Sequence, residues 1–551
     1  MGVRIAAVQM SSSPQAERPA PAGERFDVVV IGGGVNGVAI AGECARGGKR
    51  TLLLEQHDFA SGTTSRSTRI IHGGLRYLEH GELGLVRESL RERESLLRER
   101  PHLVRRMPFL LALPPGGRHS ALAIRAGLWL YDRYARSRPT ASTGQAEQLE
   151  RLLDAGQSLA IFRYDDAQCE FPERLVAERL TEGIADGLVA RNHSAVLGVE
   201  CSDGKVRCVV VRDQLTAGEY RVEAAHIVNA SGPWVDRVCS GLRRSAPLLG
   251  GVRGSHIVAP RFTGAPEAAI YTEAVDRRPI FLVPWNGQLL VGTTEVRDEG
   301  DPGRTQPSAD EVDYLIRSVQ RLFPGAGMTR SQVIYAFAGV RPLRNAPGER
   351  ESAITRRSYV VDHADDGAEG LLSIVGGKLT TAGSLAREVA RQLGVAVSEP
   401  AGLDLPYPHA DGIGPVLEHW SKQVASMSKL TESSARAIAE WHGRRALAIA
   451  RLAAADETLR APLCPHSEHI VAEAVEAVNY ECAVTLGDIL LRRVPVALSG
   501  CWTEECGRAA AQRIGAAVGW DERRVAIELA QFVEERARFL VKVPTAAESA
   551  V

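Results

Sequence analysis

A glycine string and one acid carry the first chemical signal in this chain. Gly32-x-Gly34-x-x-Gly37 directly follows the apolar run Val28-Val29-Val30-Ile31, and Glu55 stands 18 residues beyond Gly37. In such a pattern the first glycine permits a tight turn and the second lets a pyrophosphate approach the backbone. The third lets helix and strand pack closely, and the helix N-terminus then faces the anion. A carboxylate closing the next strand accepts both hydroxyls of a ribose and repels a 2'-phosphate, which argues against NADP. The competing explanation is a glycine-rich turn chosen only for packing. Two later segments return to the same place. Asn229-Ala230-Ser231-Gly232 brings small residues beside the cofactor. Gly376-Gly377-Lys378 opens another helix, whose N-terminus suits a partly negative group such as a reduced isoalloxazine ring. An NAD enzyme has no need of a second such strand so late in the chain, so FAD is expected.

The elements that must hold these residues are legible nearby. Asp27 to Ile31 is a short, continuously apolar run, as a strand buried on both faces should be. Val38, Ala39, Ala41, Gly42 and Ala45 give a helix of small residues ending near Gly47-Gly48, and Thr51 to Leu54 is a second buried strand closed by Glu55. Together they make a βαβ unit. Leu83 to Arg106 and Ser120 to Arg136 mix arginines with apolar residues at helical spacing. The texture from Cys208 to Val340 is strand-rich, including Ile280 to Pro284 and Leu289 to Gly292. Leu371 to Val375 then runs into the Gly376 turn and a helix to about Leu393. Pro400 to Pro415 reads as loop, and the remainder as a helical domain.

Composition sets the outer bounds. The 551 residues exceed what one core serves, and 44% are hydrophobic. The balance of 66 basic against 67 acidic side chains argues against a nucleic-acid coat. Nine cysteines without regular spacing fit a reducing compartment. Cys501 and Cys506 find no neighbouring histidine, and Cys464-Pro465-His466 stands apart, so no metal is expected. The longest apolar stretch, Met107 to Pro115, is too short to span a bilayer. A cytoplasmic protein is expected, or one held peripherally on the inner face of the plasma membrane.

Six ordered blocks are more specific. Ser65-Arg66-Ser67-Thr68-Arg69-Ile70-Ile71-His72-Gly73-Gly74-Leu75-Arg76-Tyr77-Leu78-Glu79 resembles the signature of FAD-dependent glycerol-3-phosphate dehydrogenases. So do Gly254-Ser255-His256-Ile257-Val258, Pro284-Trp285, Gly292-Thr293-Thr294, Gly339-Val340-Arg341-Pro342-Leu343 and Gly376-Gly377-Lys378-Leu379-Thr380. Asp488 to Arg493 echoes the family's tail. Arg69 and Glu295 replace a more usual lysine and aspartate, and Val494 follows Arg492-Arg493 where threonine is common.

The resemblance implies oxidation of sn-glycerol 3-phosphate at C2 to dihydroxyacetone phosphate, with hydride transfer to FAD and electrons passed to a membrane quinone. It implies FAD contacts from Gly32, Gly34, Asn36, Gly37, Glu55, Thr64, Ser65, Ser67, His72, Gly73, Gly74, Ala230, Gly232, Gly377, Lys378, Leu379 and Thr380. Arg76, Tyr77, Arg341, Lys378 and His256 would bind substrate, because a phosphate is well held by cations in fixed geometry. His256, Arg341 and Lys378 form the expected catalytic set, with His256 favoured over His72 as base. The two basic stretches suit an anionic membrane surface, or alternatively pack one face on the substrate domain. An oxidase reoxidised by oxygen and an amine- or amino-acid-oxidising relative are the alternative enzymes, and a non-enzymatic nucleotide-binding module is the third reading. Monomer and homodimer both stay open.

The expected architecture is an α/β flavin-binding domain, Rossmann-like and of the glutathione-reductase/D-amino-acid-oxidase type. It carries an inserted β-rich substrate domain and a C-terminal α-helical domain. The expected boundaries are a flexible tail over 1–24, a discontinuous FAD-binding domain over 25–100, 165–252 and 345–395, a substrate domain over 101–164 and 253–344, and the helical domain over 400–551.

Overall fold

A computed structural model describes residues 21–75, 81–113, 121–135, 143–153, 159–243, 246–349, 351, 354–397 and 414–543. Most of the expected tail, the greater part of the 400–415 loop, and both Arg76 and Tyr77 lie outside the described residues.

Two sheets organise the first 400 residues, with strands numbered along the chain. The first holds β1 (Arg25–Ile31), β2 (Thr51–Leu54), β6 (Val189–Arg191), β7 (Ser194–Ser202), β8 (Lys205–Asp213), β9 (Glu219–Asn229), β16 (Tyr359–Asp362) and β17 (Leu371–Val375). The order β17-β9-β1-β2-β6 is parallel throughout, with β16 antiparallel at the edge. β1 is central, and Val28, Val29 and Val30 are buried whichever face they point to, which is why the run is apolar without alternation. The helices Val35–Arg46 and Ala382–Gln392 lie together on one face. Gly42 and Gly183 let Val35–Arg46 approach the helix Pro172–Ala185 closely.

The second sheet holds β3 (Ile70–Ile71), β4 (Val104–Leu113), β5 (Ala160–Cys169), β10 (Val252–Pro260), β11 (Ala269–Glu273), β12 (Pro279–Trp285), β13 (Gln288–Gly292), β14 (Val296–Arg297) and β15 (Tyr335–Arg341). Its order is β14-β10-β13-β12-β11-β4-β5-β3, with β15 pairing β10. The helix expected over Leu83 to Arg106 is shorter than its leucine pattern suggests. It runs Leu83–Glu99 and stops before Pro101, which cannot continue an α-helix, and Arg105 and Arg106 lie on β4.

Helices from Gly414–Ser428 to Glu522–Phe539 form the C-terminal region. Buried arginines fasten it to the first sheet's domain. Arg174 makes a two-pronged pair with Glu481 at 2.7 and 2.9 Å. Arg493 does the same with Asp58 at 2.7 and 2.8 Å, and Arg492 also reaches Asp58.

Candidate active site

A cavity of about 1130 Å³ runs from the C-terminal ends of β1 and β2 to the face of the second sheet. At its first end Gly32 adopts φ +106°, and a Cβ there would stand 2.6 Å from the Ala230 carbonyl oxygen. The helix Val35–Arg46 opens with no side-chain cap at Gly34, so its terminal N–H groups are presented to the cavity except where Thr64 Oγ1 accepts from Val35 N at 3.1 Å. Glu55 accepts from Gly33 N at 2.6 Å and from His57 N at 2.9 Å. Burial raises its carboxyl above the usual range, and those two N–H groups act in the opposite sense.

At the other end three glycines make room for three side chains. The Cβ of a residue at 254 would stand 2.5 Å from Arg341 Nη2, one at 292 would collide with the His256 ring, and one at 339 would meet Arg66 Cβ at 2.7 Å. β10 and β15 pair with His256 opposite Phe337 and Val252 opposite Arg341, which sets both functional side chains on one strand pair. The His256 ring stacks on Phe337 at 5.0 Å, and its Nε2 shares a 2.9 Å hydrogen bond with Thr68 Oγ1. Arg341 donates to Thr293 Oγ1 at 3.0 Å and to the Thr294 carbonyl at 3.3 Å.

Burial, with Arg341 and then Arg69 adding to it, pulls the His256 imidazole down to about 3, so it is neutral at pH 7. Burial likewise pulls the Lys378 ammonium down to about 7; Glu88 and Glu82 oppose this, and Arg356 adds to it. The turn carrying Lys378 is laced to the His72 loop, where His72 N donates to Thr380 Oγ1 at 3.2 Å. Gly377 has φ +101°, and any side chain there would collide with Asn36.

The cavity is lined by Gly32, Gly34, Asn36, Glu55, Thr64, Ser65, Ser67, His72, Gly74, Ala230, Gly232, His256, Arg341, Gly377, Lys378, Leu379 and Thr380. Two expected contact residues do not line it. Gly37 packs beneath the Gly32 carbonyl, where a Cβ would collide. Gly73 packs against Leu90, and its N–H is taken by Tyr131 Oη at 2.8 Å and Asp166 at 3.2 Å. Both are packing positions. Sequence reasoning passed over Thr68 and Thr293, which hold His256 and Arg341, although both stand inside the conspicuous blocks. Arg356 was passed over too, and Glu295, singled out only as a departure from aspartate, is its partner in the lining at 2.6 Å. A second constellation, Asp366, His363 and Ser373, has the order of a hydrolytic triad at 2.6 and 2.8 Å. His363 and Ser373 are wholly buried, so no substrate reaches them.

Residues 27–392 match the FAD dependent oxidoreductase family, and residues 402–525 match the C-terminal domain of alpha-glycerophosphate oxidase. A glycerol-3-phosphate dehydrogenase of Synechocystis sp. is 37% identical over 494 residues, covering 86% of this chain and 89% of that one. The aerobic glycerol-3-phosphate dehydrogenase of Escherichia coli is 35% identical over 405 residues, 73% of this chain and 76% of that one. The chain belongs to the FAD-dependent glycerol-3-phosphate dehydrogenase family. The fold agrees with that of a glycerol-3-phosphate dehydrogenase from Bacillus halodurans complexed with FAD, at TM-score 0.74 and 24% identity over 94% of this chain and 96% of that one.

FAD is the cofactor of this family, and the residues present fit it. The uncapped helix start at Gly34 suits a pyrophosphate, and Glu55 suits a ribose. The buried Asn36 Oδ1 has no hydrogen-bond partner among the described residues, and it sits against the Gly377 turn, where a polar group of the cofactor would complete it.

Proposed function

We propose that Arg341 and Lys378 anchor glycerol 3-phosphate while His256 takes the proton of its C2 hydroxyl, giving dihydroxyacetone phosphate, and that the electrons leave to a membrane quinone. The observation that carries this reading is a guanidinium set beside a neutral, buried imidazole within the same cavity as Glu55. Bound FAD supplies the two-electron acceptor. Arg341 offers the substrate phosphate a planar fork whose direction is fixed by Thr293 and Thr294, so little ordering remains to be done on binding. Thr68 fixes the His256 ring, and burial keeps the imidazole unprotonated at physiological pH, the state from which a base must start. Lys378 adds a cation, or a neutral amine, to the lining of the same cavity. Arg76 and Tyr77 complete the proposed substrate set.

This reading predicts that Arg341→Ala weakens substrate binding at least about tenfold, the scale of one charge-assisted hydrogen bond, with the flavin spectrum retained. An unchanged substrate dissociation constant would contradict it.

The helix Ala121–Ala135 supports the proposed route to a membrane. Leu128 and Tyr131 face inward, whereas Leu122, Arg125 and Trp129 share an exposed face at helical spacing. Leu122 is 77% and Trp129 68% exposed, an apolar and cationic mixture suited to an anionic interface. Among the described residues no helix is long and apolar enough to cross a membrane. Sedimentation with anionic vesicles should capture the enzyme at low salt and release it as salt rises; no capture at low salt would overturn the membrane route.

A further inference from the structure

In the sequence, Cys464-Pro465-His466 and the Cys501/Cys506 pair are two separate fragments. The C-terminal region folds one onto the other. Residues 462–470 close a narrow loop through the Pro462/Ile470 bridge and a 2.8 Å bond from Leu463 N to the His469 carbonyl. The loop carries Cys464 and His466 to the first turn of the helix Glu504–Val518, where Cys506 stands. One ligand atom from each of Cys464, His466 and Cys506 lies within 4.8 Å of the others, and Cys506 Sγ is 4.0 Å from His466 Nδ1. Cys464 and Cys506 are buried, whereas His466 and Cys501 are exposed. The Cys501 thiol is within electrostatic reach of Cys464.

We propose that Cys464, His466 and Cys506 bind a structural zinc ion, with Cys501 closing the fourth position. Thiolates and imidazole form a borderline-soft set, which suits Zn²⁺ and not Ca²⁺ or Mg²⁺, since those require oxygen ligands. With Zn–S near 2.3 Å and Zn–N near 2.0 Å, tetrahedral ligand atoms stand about 3.5 Å apart, so side-chain movements of roughly 1 Å bring Cys464, His466 and Cys506 to coordination distance. Thr503, which caps the helix, holds its hydroxyl 3.4 Å from Cys506 Sγ and can donate to the bound sulfur. Four protein ligands leave no open position, so the ion's work is to hold structure. It ties the 462–470 loop to the Glu504–Val518 helix and so closes the stretch bearing Arg492 and Arg493, the arginines that reach Asp58. The proposal is independent of the reaction assigned above.

The test is elemental analysis of the flavin-loaded enzyme purified without chelators from zinc-supplemented medium. The site requires about one zinc per chain. Cys464→Ser and Cys506→Ser should each abolish it and lower the melting temperature, whereas Cys501→Ser should weaken retention against a chelator. Should the serine variants misfold, the wild type still decides the matter. Stripped of metal and titrated with Co²⁺, it should show the visible bands of tetrahedral thiolate coordination. Absence of zinc together with absence of those bands would overturn the proposal, as would isolation of the enzyme with Cys464 and Cys506 joined as a disulfide.

Discussion

The guanidinium of Arg341 fills the space in which a side chain at Gly254 would begin, its Nη2 2.5 Å from where a Cβ would stand. Gly254 and His256 are two apart on β10 and therefore face the same way. The glycine thus lets a cation lie beside the base on one strand face.

Gly254→Ala should displace Arg341 without touching any charge. We expect the substrate dissociation constant to rise about tenfold or more, the scale of one charge-assisted hydrogen bond of about 1.5 kcal/mol. Titration of the flavin-loaded variant with a non-oxidisable substrate analogue measures this. Wild-type affinity would show that Arg341 does not depend on the gap.

His256→Ala should lower the rate of flavin reduction by about two orders of magnitude or more, the usual size of a general-base effect. Burial, Arg341 and Arg69 place His256 at about 3, so in the wild type acidification from neutrality should bring no loss of kcat/KM from this ring until well below the ordinary histidine range. The same shift favours folding above the unfolded-state value near 6.5, and that contribution falls away as pH drops toward 3. A pH profile with a wild-type inflection near 6.5 that vanishes in His256→Ala would contradict this environment.

Lys378 is the group expected to titrate near neutrality, since burial brings it to about 7. The rate of flavin reduction should therefore inflect near pH 7, and Lys378→Arg, which stays charged, should remove the inflection. Persistence of the inflection in that variant would assign it elsewhere.

Much of the nucleotide end was legible because its signals are local. β1, the Gly32 turn and Glu55 lie within one βαβ unit, and Gly32 and Gly37 there answer steric demands of the backbone around them. The partners of Asp58 were not legible, since Arg493 lies 435 positions away and only the docking of the helical region joins them. Cys464 and Cys506 are separated in the same sense. Arg105 and Arg106 were misplaced because leucine and arginine spacing continues past Pro101, where the helix has already ended. Gly73 misled for another reason: a conspicuous glycine serves packing as readily as ligand contact.

Arg493→Ala should destabilise the folded enzyme by about 3–5 kcal/mol, the cost of breaking a buried ion pair, and Arg493→Lys should restore little of it because one ammonium does not replace a two-pronged contact. Burial alone would raise Asp58, but Arg493 and Arg492 outweigh it and hold the carboxyl below its usual range. The stability it contributes is present above the unfolded-state value and is lost as acid protonates the Asp58 carboxylate. Denaturant unfolding followed by flavin fluorescence measures both effects, and an unchanged midpoint in Arg493→Ala would refute the role of this clamp.

Anaerobic stopped-flow mixing of the flavin-loaded enzyme with sn-glycerol 3-phosphate addresses the shared site most directly. The flavin band should bleach rapidly in the wild type, bleach slowly in His256→Ala, and require much higher substrate in Arg341→Ala. If both variants bleached at the wild-type rate and wild-type substrate concentration, Arg341 and His256 would not form the site at which the alcohol is oxidised.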